Sequence, residues 1–349
     1  MAIKILIVDD SVVSRRLLSD LLGEQTGFEV VGTAVNGKLA LIKIPILKPD
    51  LVVLDVEMPV MDGIETLREI KRTTPHIRVI MFSAHTQAGA AVTVEALTLG
   101  AEDYVSKPSN LLDVENARRE LTRELVPKVR VLLGRDEVEQ RAATVVPTVS
   151  TPVVGPQKVD VVTIGSSTGG PNALAEVFGG LPKDFPVPIV MVQHMPRVFT
   201  SMLAERLTRQ SLLPVEEARD GMELVPGKAW IAPGGRHLTV GRRLSTVRTQ
   251  LNDDPPENSC RPAVNTLFRS VAAAYQKRVL GVVLTGMGED GMKGAIELRR
   301  VGAQILAQDQ QSSVVWGMPG AVARAGAADK ILPLDEIAGE IVRRVRWGR

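Results

Sequence analysis

Short apolar runs rich in Val, Ile and Leu alternate with segments of helical periodicity over residues 1–110. Strands that alternate with helices are typical of βαβ units and a parallel sheet. We therefore predict a doubly wound, flavodoxin-like α/β domain of five strands and five helices. The predicted strands are Ile3–Val8, Phe28–Ala34, Leu51–Leu54, Arg78–Phe82 and Asp103–Ser106; helical segments include Val12–Leu22, Gly63–Arg72, Gly89–Leu99 and a last helix from near Leu111 to beyond Leu121.

A second alternating series occupies the C-terminal half of the chain. It predicts another α/β domain, Rossmann-like and with a mainly parallel sheet, in which Leu238–Leu251 forms a hairpin or loop. The predicted strands are Val159–Ile164, Pro188–Val192, Lys228–Ile231, Val279–Leu284 and, less regularly patterned, Ala303–Gln308; the helical segments are Asn172–Phe178, Val198–Thr208, Pro262–Tyr275, Gly291–Val301 and Leu334–Arg346.

The two series are separated by residues 145–156, which contain three prolines and no charged side chain. Proline interrupts helices, and Pro/Ser/Thr-rich composition favours an extended linker. An irregular loop inside one domain is the alternative. We predict a first domain at residues 1–122, a linker at 123–157 and a second domain at 158–349.

Composition narrows the function classes. The 349 residues favour two domains, and 42 basic against 40 acidic residues give no reason to expect a nucleic-acid partner. The single cysteine, Cys260, allows neither an internal disulfide nor a zinc site built from cysteines, which fits a reducing compartment. Since no signal peptide or membrane-length apolar stretch is evident, we expect a cytoplasmic protein without membrane insertion.

Polar side chains follow four of the five strands predicted in the first domain. Asp9 and Asp10 follow the first, Asp55 the third, Ser83 the fourth and Lys107 the fifth. In an open parallel sheet these positions meet at one edge, where ligands bind. Three carboxylates repel one another and favour a hard cation such as Mg²⁺, while a lysine and a hydroxyl can bind an added phosphoryl group. A carboxylate held by metal can itself accept that group.

These motifs, with Met58-Pro59 and Asp62-Gly63 after Asp55 and Pro108 after Lys107, resemble the two-component receiver domain over residues 1–122. Tyr104, considered alone, could equally be a packing residue. The resemblance implies a Mg²⁺-dependent phosphorylation site fed by a sensor histidine kinase of the CheA type. It implies the following roles: Asp55 as phosphorylated residue, Asp10 as metal ligand helped by Asp9 and the backbone of Glu57, Ser83 and Lys107 as phosphate-reading groups, and Tyr104 as aromatic switch.

A glycine-rich turn, Gly165–Gly170, follows the first strand of the second domain. Its spacing matches neither the dinucleotide-binding motif nor the phosphate loop, but it fits G-x-S-x-G with Ser167 central. Pro171 suits the first position of a helix, whose unpaired N–H groups could stabilise an oxyanion. A tight strand-to-helix turn with serine caps is the alternative.

A serine nucleophile needs a general base, and the chain has four histidines. His76 and His85 belong to the first domain, and His237 lies in a glycine-rich loop. His194 follows the strand Pro188–Val192, at the sheet edge predicted for Ser167, and is the favoured base.

The base needs an orienting acid. Asp290 lies in the glycine-flanked turn after the strand Val279–Leu284 and is the best candidate, with Glu289 as the alternative. Asp290 acting only as a helix cap is the structural alternative.

Together these motifs resemble the catalytic domain of the CheB chemotaxis methylesterase family over about Val159 to Leu334. Supporting stretches are Ile231–Gly234, Arg261–Phe268 and Val315–Gly320. The chain departs from the family pattern at Ser166, Cys260 and Asn265, where Ala, His and Asp are common. The first of these departures bears on which serine reacts.

The resemblance implies a receiver followed by a hydrolase domain of α/β fold, in an enzyme that adapts chemotactic signalling under control of phosphorylation. The enzyme hydrolyses glutamyl methyl esters and deamidates glutamines on methyl-accepting chemoreceptors. No cofactor is expected for the esterase reaction. A transcriptional regulator and a non-catalytic receptor-binding adaptor are the rival functions. The residues carried over are Ser167, His194 and Asp290 as triad, and the backbone N–H groups of Thr168, Gly169 and Met287 as oxyanion donors.

Overall fold

The computed structural model describes residues 2–84, 86–108, 110, 113–133 and 157–347. The chain divides into two compact units, Met1–Thr144 and Val145–Arg349. The described ranges leave out the proline-rich segment of the predicted linker, and also Leu111, near which the last helix of the first domain was expected to begin.

The first unit is a five-stranded parallel sheet flanked by helices, as the alternating pattern predicts. Its elements are β1 (Ile3–Val8), α1 (Val12–Gly23), β2 (Phe28–Ala34), α2 (Gly37–Leu47), β3 (Leu51–Asp55), α3 (Gly63–Thr73), β4 (Arg78–Ser83), α4 (Gln87–Thr98), β5 (Asp103–Ser106) and α5 (Val114–Leu132). The strand order β2-β1-β3-β4-β5 is that of flavodoxin-like folds, which confirms the predicted class. β3 is buried along its whole length, as expected for a strand covered on both faces.

Helix α5 extends beyond the predicted end of the first domain. Residue 122 lies inside it, so residues 123–132 are helical rather than part of a linker. The apolar residues Ala117, Leu121, Leu125 and Val129 recur every four positions and are buried, which carries the helix past Pro127.

The second unit contains a seven-stranded parallel sheet and a separate antiparallel hairpin. Its elements are β6 (Val161–Ser166), α6 (Gly170–Gly179), β7 (Ile189–Gln193), α7 (Phe199–Gln210), β8 (Val215–Glu217), β9 (Ala229–Ile231), β10 (His237–Arg243), β11 (Thr246–Asn252), α8 (Val264–Tyr275), β12 (Val279–Val283), α9 (Met292–Arg300), β13 (Gln304–Gln308), α10 (Met318–Arg324), β14 (Lys330–Leu332) and α11 (Leu334–Arg346). The second α/β fold and the hairpin β10–β11 are confirmed; the short elements β8, β14 and α10 were not predicted.

The strand order β14-β13-β12-β6-β7-β9-β8 determines where side chains meet. From β6 the chain adds β7 on one side, and only later β12 on the other. The order therefore reverses at β6, and a crevice for ligands opens at the carboxyl ends of strands at such a point. Within the described residues, no helix is both long and apolar enough to cross a bilayer.

Candidate functional site

The acidic residues of the first unit converge at the carboxyl ends of β1 and β3. Asp9 and Asp55 are 0% and 2% exposed, and the Lys107 ammonium lies 3.1 Å and 2.7 Å from their Oδ2 atoms. These two Oδ2 atoms are buried, and neither accepts a hydrogen bond of good geometry from a described residue. With the exposed Asp10, the three carboxylates offer oxygens within 4.8 Å of one another. Such an oxygen-only cluster fits Mg²⁺, a hard cation that prefers oxygen ligands.

Burial dominates the electrostatics of this acidic cluster. It raises the pKa of Asp55 to about 6, against the opposing effect of Lys107, and the charge of Asp9 adds to the rise. Burial likewise raises the pKa of Asp9. A cation here would offset the cost of holding both carboxylates ionised.

The other predicted receiver residues surround this cluster. The Glu57 N–H donates to Asp55 Oδ1 at 3.4 Å, and the carbonyl of Ser83 accepts from the Lys107 N–H at 2.7 Å. Ser83 is buried, and its hydroxyl donates to the carbonyl of Gly89 at 3.2 Å. Tyr104 is also buried, with the Lys128 ammonium 5.1 Å from its ring centroid. The structure thus places Tyr104 inward; its role as a switch stays a prediction.

The turn after β6 separates its two serines. Ser166 is fully buried, and its hydroxyl donates to Gln193 Oε1 at 2.8 Å. Ser167 is half-buried, with its N–H donating to the carbonyl of Thr285 at 3.0 Å. Because the only hydroxyl proton of Ser166 is engaged inside the core, Ser167 is the serine that a substrate can reach.

Two glycines allow the chain to pack closely around Ser167. Gly169 has φ +76°, and Gly286 lies so close that an added Cβ would stand 2.8 Å from Ser167 Cβ. Among the described residues, the N–H groups of Gly169 and Met287 make no hydrogen bond, so both can donate to a ligand. Thr168 is buried, and its carbonyl accepts from Thr285 Oγ1 at 2.9 Å.

His194 follows β7 directly and is paired with the predicted acid. Its Nε2 lies 2.8 Å from Asp290 Oδ2, and its Nδ1 lies 3.6 Å from Cys260 Sγ. The backbone N–H of His194 donates to the backbone carbonyl of Ser166 at 3.1 Å, which fixes the position of His194 beside the serine turn. Within the described part of the chain no hydrogen bond joins Ser167 Oγ to His194; adjacent strand ends bring the two residues together.

Asp290 is 2% exposed and precedes α9 in the chain, and its carboxylate faces the N-terminus of α8. Its carboxylate accepts from the N–H groups of Val264 at 2.6 Å, Asn265 at 3.1 Å and Gly291 at 3.0 Å. Burial opposes its ionisation, but His194 and these backbone donors lower the pKa of Asp290 overall. The alternative acid, Glu289, is exposed and makes no hydrogen bond or ion pair with His194 among the described residues.

The pKa of the His194 imidazole shifts in the opposite direction to that of Asp290. Burial lowers the pKa of His194, but the hydrogen bonds with Asp290 and Cys260 outweigh it and raise the pKa above its usual range. The other histidine of this unit, His237, is buried, accepts from the Ala263 N–H at 3.2 Å and contacts the carbonyl of Pro255. His237 therefore holds a loop in place rather than serving a substrate.

The residues that hold the serine turn and the start of α9 in place were not predicted from the sequence. Thr285 Oγ1 lies 2.9 Å and 3.1 Å from the carbonyl oxygens of Thr168 and Val315, either of which can accept its single proton, and it accepts from the Val315 N–H at 3.0 Å. Gln193 Nε2 donates to the carbonyl of Ser167 at 2.9 Å. Asn265 Oδ1 accepts from the N–H groups of Gly291 and Gly294, so it caps α9 from outside that helix. Asn265 stood out in the sequence only as a departure from the family pattern, and Thr285 and Gln193 gave no signal beyond their strand-end positions.

Comparison with known proteins finds relatives that match almost the whole length of the chain. Residues 162–341 match the family model for CheB methylesterase, and residues 5–118 match that for the response regulator receiver domain. A protein-glutamate methylesterase/protein-glutamine glutaminase of Trichodesmium erythraeum is 52% identical over 349 residues, with 98% of this chain and 99% of the relative covered. A relative of the same name from Nocardioides sp. is 49% identical, with 98% and 95% covered.

A solved structure supports the same assignment for the second unit. The crystal structure of the Thermotoga maritima CheB methylesterase catalytic domain is 43% identical and aligns with a TM-score of 0.52, covering 54% of this chain and 99% of that one. The chain therefore belongs to the CheB methylesterase family, with a response regulator receiver domain ahead of the methylesterase domain.

Proposed function

We propose that this protein is a phosphorylation-regulated protein-glutamate methylesterase and protein-glutamine glutaminase. The observation that carries the proposal is the His194–Asp290 pair, 2.8 Å apart, at the strand ends beside Ser167. Its substrates are glutamyl methyl esters and glutamine side chains of methyl-accepting chemoreceptors, and its role is sensory adaptation in chemotaxis. Family membership supports this substrate class, and we propose that the enzyme acts in the cytoplasm.

The proposed first step is acyl transfer to Ser167. Ser167 Oγ attacks the γ-carbonyl carbon of the ester while His194 takes the hydroxyl proton. Because Nε2 of His194 carries the hydrogen donated to Asp290, the nitrogen with a free lone pair is Nδ1. The N–H groups of Thr168, Gly169 and Met287 are the proposed donors to the oxyanion.

The second step returns the enzyme to its starting state. To complete the acyl transfer, the C–O bond of the tetrahedral intermediate breaks and the imidazolium of His194 protonates the departing methoxide oxygen, which leaves as methanol; with glutamine the C–N bond breaks and the protonated nitrogen leaves as ammonia. Water then attacks the acyl-enzyme with His194 again as base, releasing the glutamate carboxylate and restoring the Ser167 hydroxyl. Asp290 stabilises the imidazolium in both steps and holds its orientation. The proposed reaction uses only side chains, backbone groups and water.

The receiver supplies the control. Asp55 is the proposed phosphoryl acceptor, and a CheA-type sensor histidine kinase is the proposed donor. Asp9, Asp10, Asp55 and the backbone of Glu57 would hold Mg²⁺, which neutralises charge on the phosphoryl group when bound. Lys107 already contacts Asp9 and Asp55 through its ammonium and is placed to pair with the added phosphate. Ser83 is the proposed hydroxyl contact, and Tyr104 the residue whose position reports the change.

Methanol release from methylated receptor membranes tests this function. The wild-type chain should release methanol from the ester sites and ammonia from receptor glutamines, at a rate that a small phosphodonor increases. Ser167→Ala should release neither, since loss of a triad nucleophile costs about 10⁶-fold in turnover. A wild-type protein that binds the membranes but releases no methanol would instead be a non-catalytic adaptor.

A further inference from the structure

The only cysteine of the chain lies against the proposed general base. Cys260 Sγ is 3.6 Å from His194 Nδ1, and both side chains retain some exposure to solvent. Reciprocal backbone hydrogen bonds between Cys260 and Glu257, at 2.9 Å and 3.1 Å, hold the turn that presents the thiol. A soft sulfur donor and an imidazole nitrogen therefore face one another at a partly open site.

Their separation is that of two ligands of one tetrahedral zinc ion. Zn–S and Zn–N bonds are about 2.3 Å and 2.0–2.1 Å long, and at a tetrahedral angle their outer atoms stand about 3.6 Å apart. The observed 3.6 Å between Cys260 Sγ and His194 Nδ1 equals this spacing. The distance between the two atoms therefore needs no change for both to bind one ion.

Asp290 prepares the imidazole for such an ion. It accepts a hydrogen bond from His194 Nε2 at 2.8 Å, which leaves the lone pair on Nδ1, the atom that faces the thiol. A carboxylate that orients a metal-binding histidine in this way is a common outer-shell feature of zinc sites. Asp290 lies within 4.8 Å of both donors, but the N–H groups of Val264 and Asn265 occupy its oxygens, so it orients His194 rather than binding the metal.

We propose that His194 Nδ1 and the Cys260 thiolate form an inhibitory binding site for a thiophilic divalent cation, Zn²⁺ in particular. The thiol releases its proton to solvent as it binds, and water completes the coordination. The bound ion occupies the lone pair that would accept the Ser167 proton, so it stops turnover reversibly. This inhibitory consequence rests on the proposed function, whereas metal binding does not.

The second metal-binding cluster of the described residues has different chemistry. Asp9, Asp10 and Asp55 offer only carboxylate oxygens, which suit Mg²⁺. Thiolate and imidazole ligands select Zn²⁺ and related ions over Mg²⁺. Excess Mg²⁺ should therefore saturate the receiver without relieving inhibition by Zn²⁺.

Cobalt substitution tests binding independently of activity. In the full chain with excess Mg²⁺, Co²⁺ should produce one sulfur-to-cobalt charge-transfer band per chain. That band reports Cys260 alone, since the chain has no other thiol. Zn²⁺ should abolish the band by displacement, and Cys260→Ser should lack it. Asp290→Asn should weaken the Co²⁺ affinity by about 10- to 100-fold, the usual cost of losing an outer-shell partner. A wild-type chain without the band would overturn the proposal even if it were fully active.

Methanol release tests the inhibition, with each variant referred to its own metal-free rate. Zn²⁺ should inhibit the wild type, and a chelator should restore the rate. Cys260→Ser and Cys260→Ala should need at least about tenfold more Zn²⁺, since even outer-shell losses cost this much. Cys260→His should keep Zn²⁺ sensitivity but lose the wild-type preference for the more thiophilic Cd²⁺. Equal Zn²⁺ sensitivity in all four proteins would show that inhibition arises elsewhere and would refute the proposed site.

Discussion

Replacing Asp290 by Asn perturbs the proposed triad with the smallest change in shape. In the wild type, Oδ2 faces two donors, His194 Nε2 and the Val264 N–H, and Oδ1 faces the N–H groups of Asn265 and Gly291. An amide has one oxygen and one NH₂ group, so in either orientation its NH₂ confronts N–H donors. The imidazole can adapt by moving its proton to Nδ1, but that leaves no lone pair for the Ser167 proton.

The expected losses of turnover and of folding stability follow from these contacts. Favouring the wrong histidine tautomer in a serine triad lowers turnover by about 10⁴-fold, which corresponds to about 5 kcal/mol in the barrier. Backbone N–H groups left without an acceptor cost about 1–3 kcal/mol of folding stability each. Asp290→Asn should therefore fold with a lowered melting temperature and turn over about 10⁴-fold more slowly.

Methanol release and thermal unfolding, measured on the same preparation, check both effects. Glu289→Gln is the matched control, because it makes the same carboxylate-to-amide change at an exposed neighbour. Turnover of Asp290→Asn within tenfold of wild type would refute the role given to Asp290. A large loss in Glu289→Gln would move that role to Glu289.

The pairing of His194, the phosphoryl acceptor Asp55 and the cap of α9 can each be tested by one further perturbation. Burial lowers the pKa of His194, but the hydrogen bonds with Asp290 and Cys260 raise it by more, so the net shift is upward from the usual value of about 6.5. Because protonation removes the base, kcat/KM should fall with decreasing pH at a midpoint above about 6.5. A pH profile with a lower midpoint would contradict the pairing. Asp55→Asn should keep the basal esterase rate but lose all response to a small phosphodonor, and any residual activation would mean that another residue accepts the phosphoryl group. Asn265→Ala should lower the free energy of unfolding by about 1–3 kcal/mol because it leaves the Gly294 N–H without an acceptor, while the Gly291 N–H keeps Asp290 Oδ1; Asn265→Asp, which keeps an acceptor, should lose less, and equal losses in denaturant titrations would argue against capping.

Much of the fold is predictable because long buried strands and amphipathic helices leave clear periodicities in sequence. The strands that carry the site, β1, β3, β6, β7 and β12, were all expected within a residue or two. The strands β8 and β14 have three residues each and are only partly buried, so neither shows a period nor an apolar run, whereas the equally short β9 is wholly buried and was predicted. The last helix of the first domain was expected to run beyond Leu121, but the domain boundary was placed at residue 122 because Pro127 and many charges obscure how far the buried stripe of α5 extends.

The candidate site was likewise predictable only in part. Placement at strand ends predicts that Ser167, His194 and Asp290 converge, since parallel strands share one carboxyl edge. The details depend on packing between distant segments, which no local pattern records. His194 meets Asp290 across 96 residues and Cys260 across 66, and which ring nitrogen faces each partner follows from those contacts. The choice between Ser166 and Ser167 likewise depends on the buried hydrogen bond to Gln193.

The central claim is that His194 activates Ser167, and not Ser166, as a nucleophile. Reaction with a fluorophosphonate that labels activated serines, followed by peptide mass spectrometry, tests it most directly. We expect a single label on Ser167, full labelling in Ser166→Ala, and none in Ser167→Ala or His194→Ala. A label on Ser166, or undiminished labelling of Ser167 without His194, would contradict it.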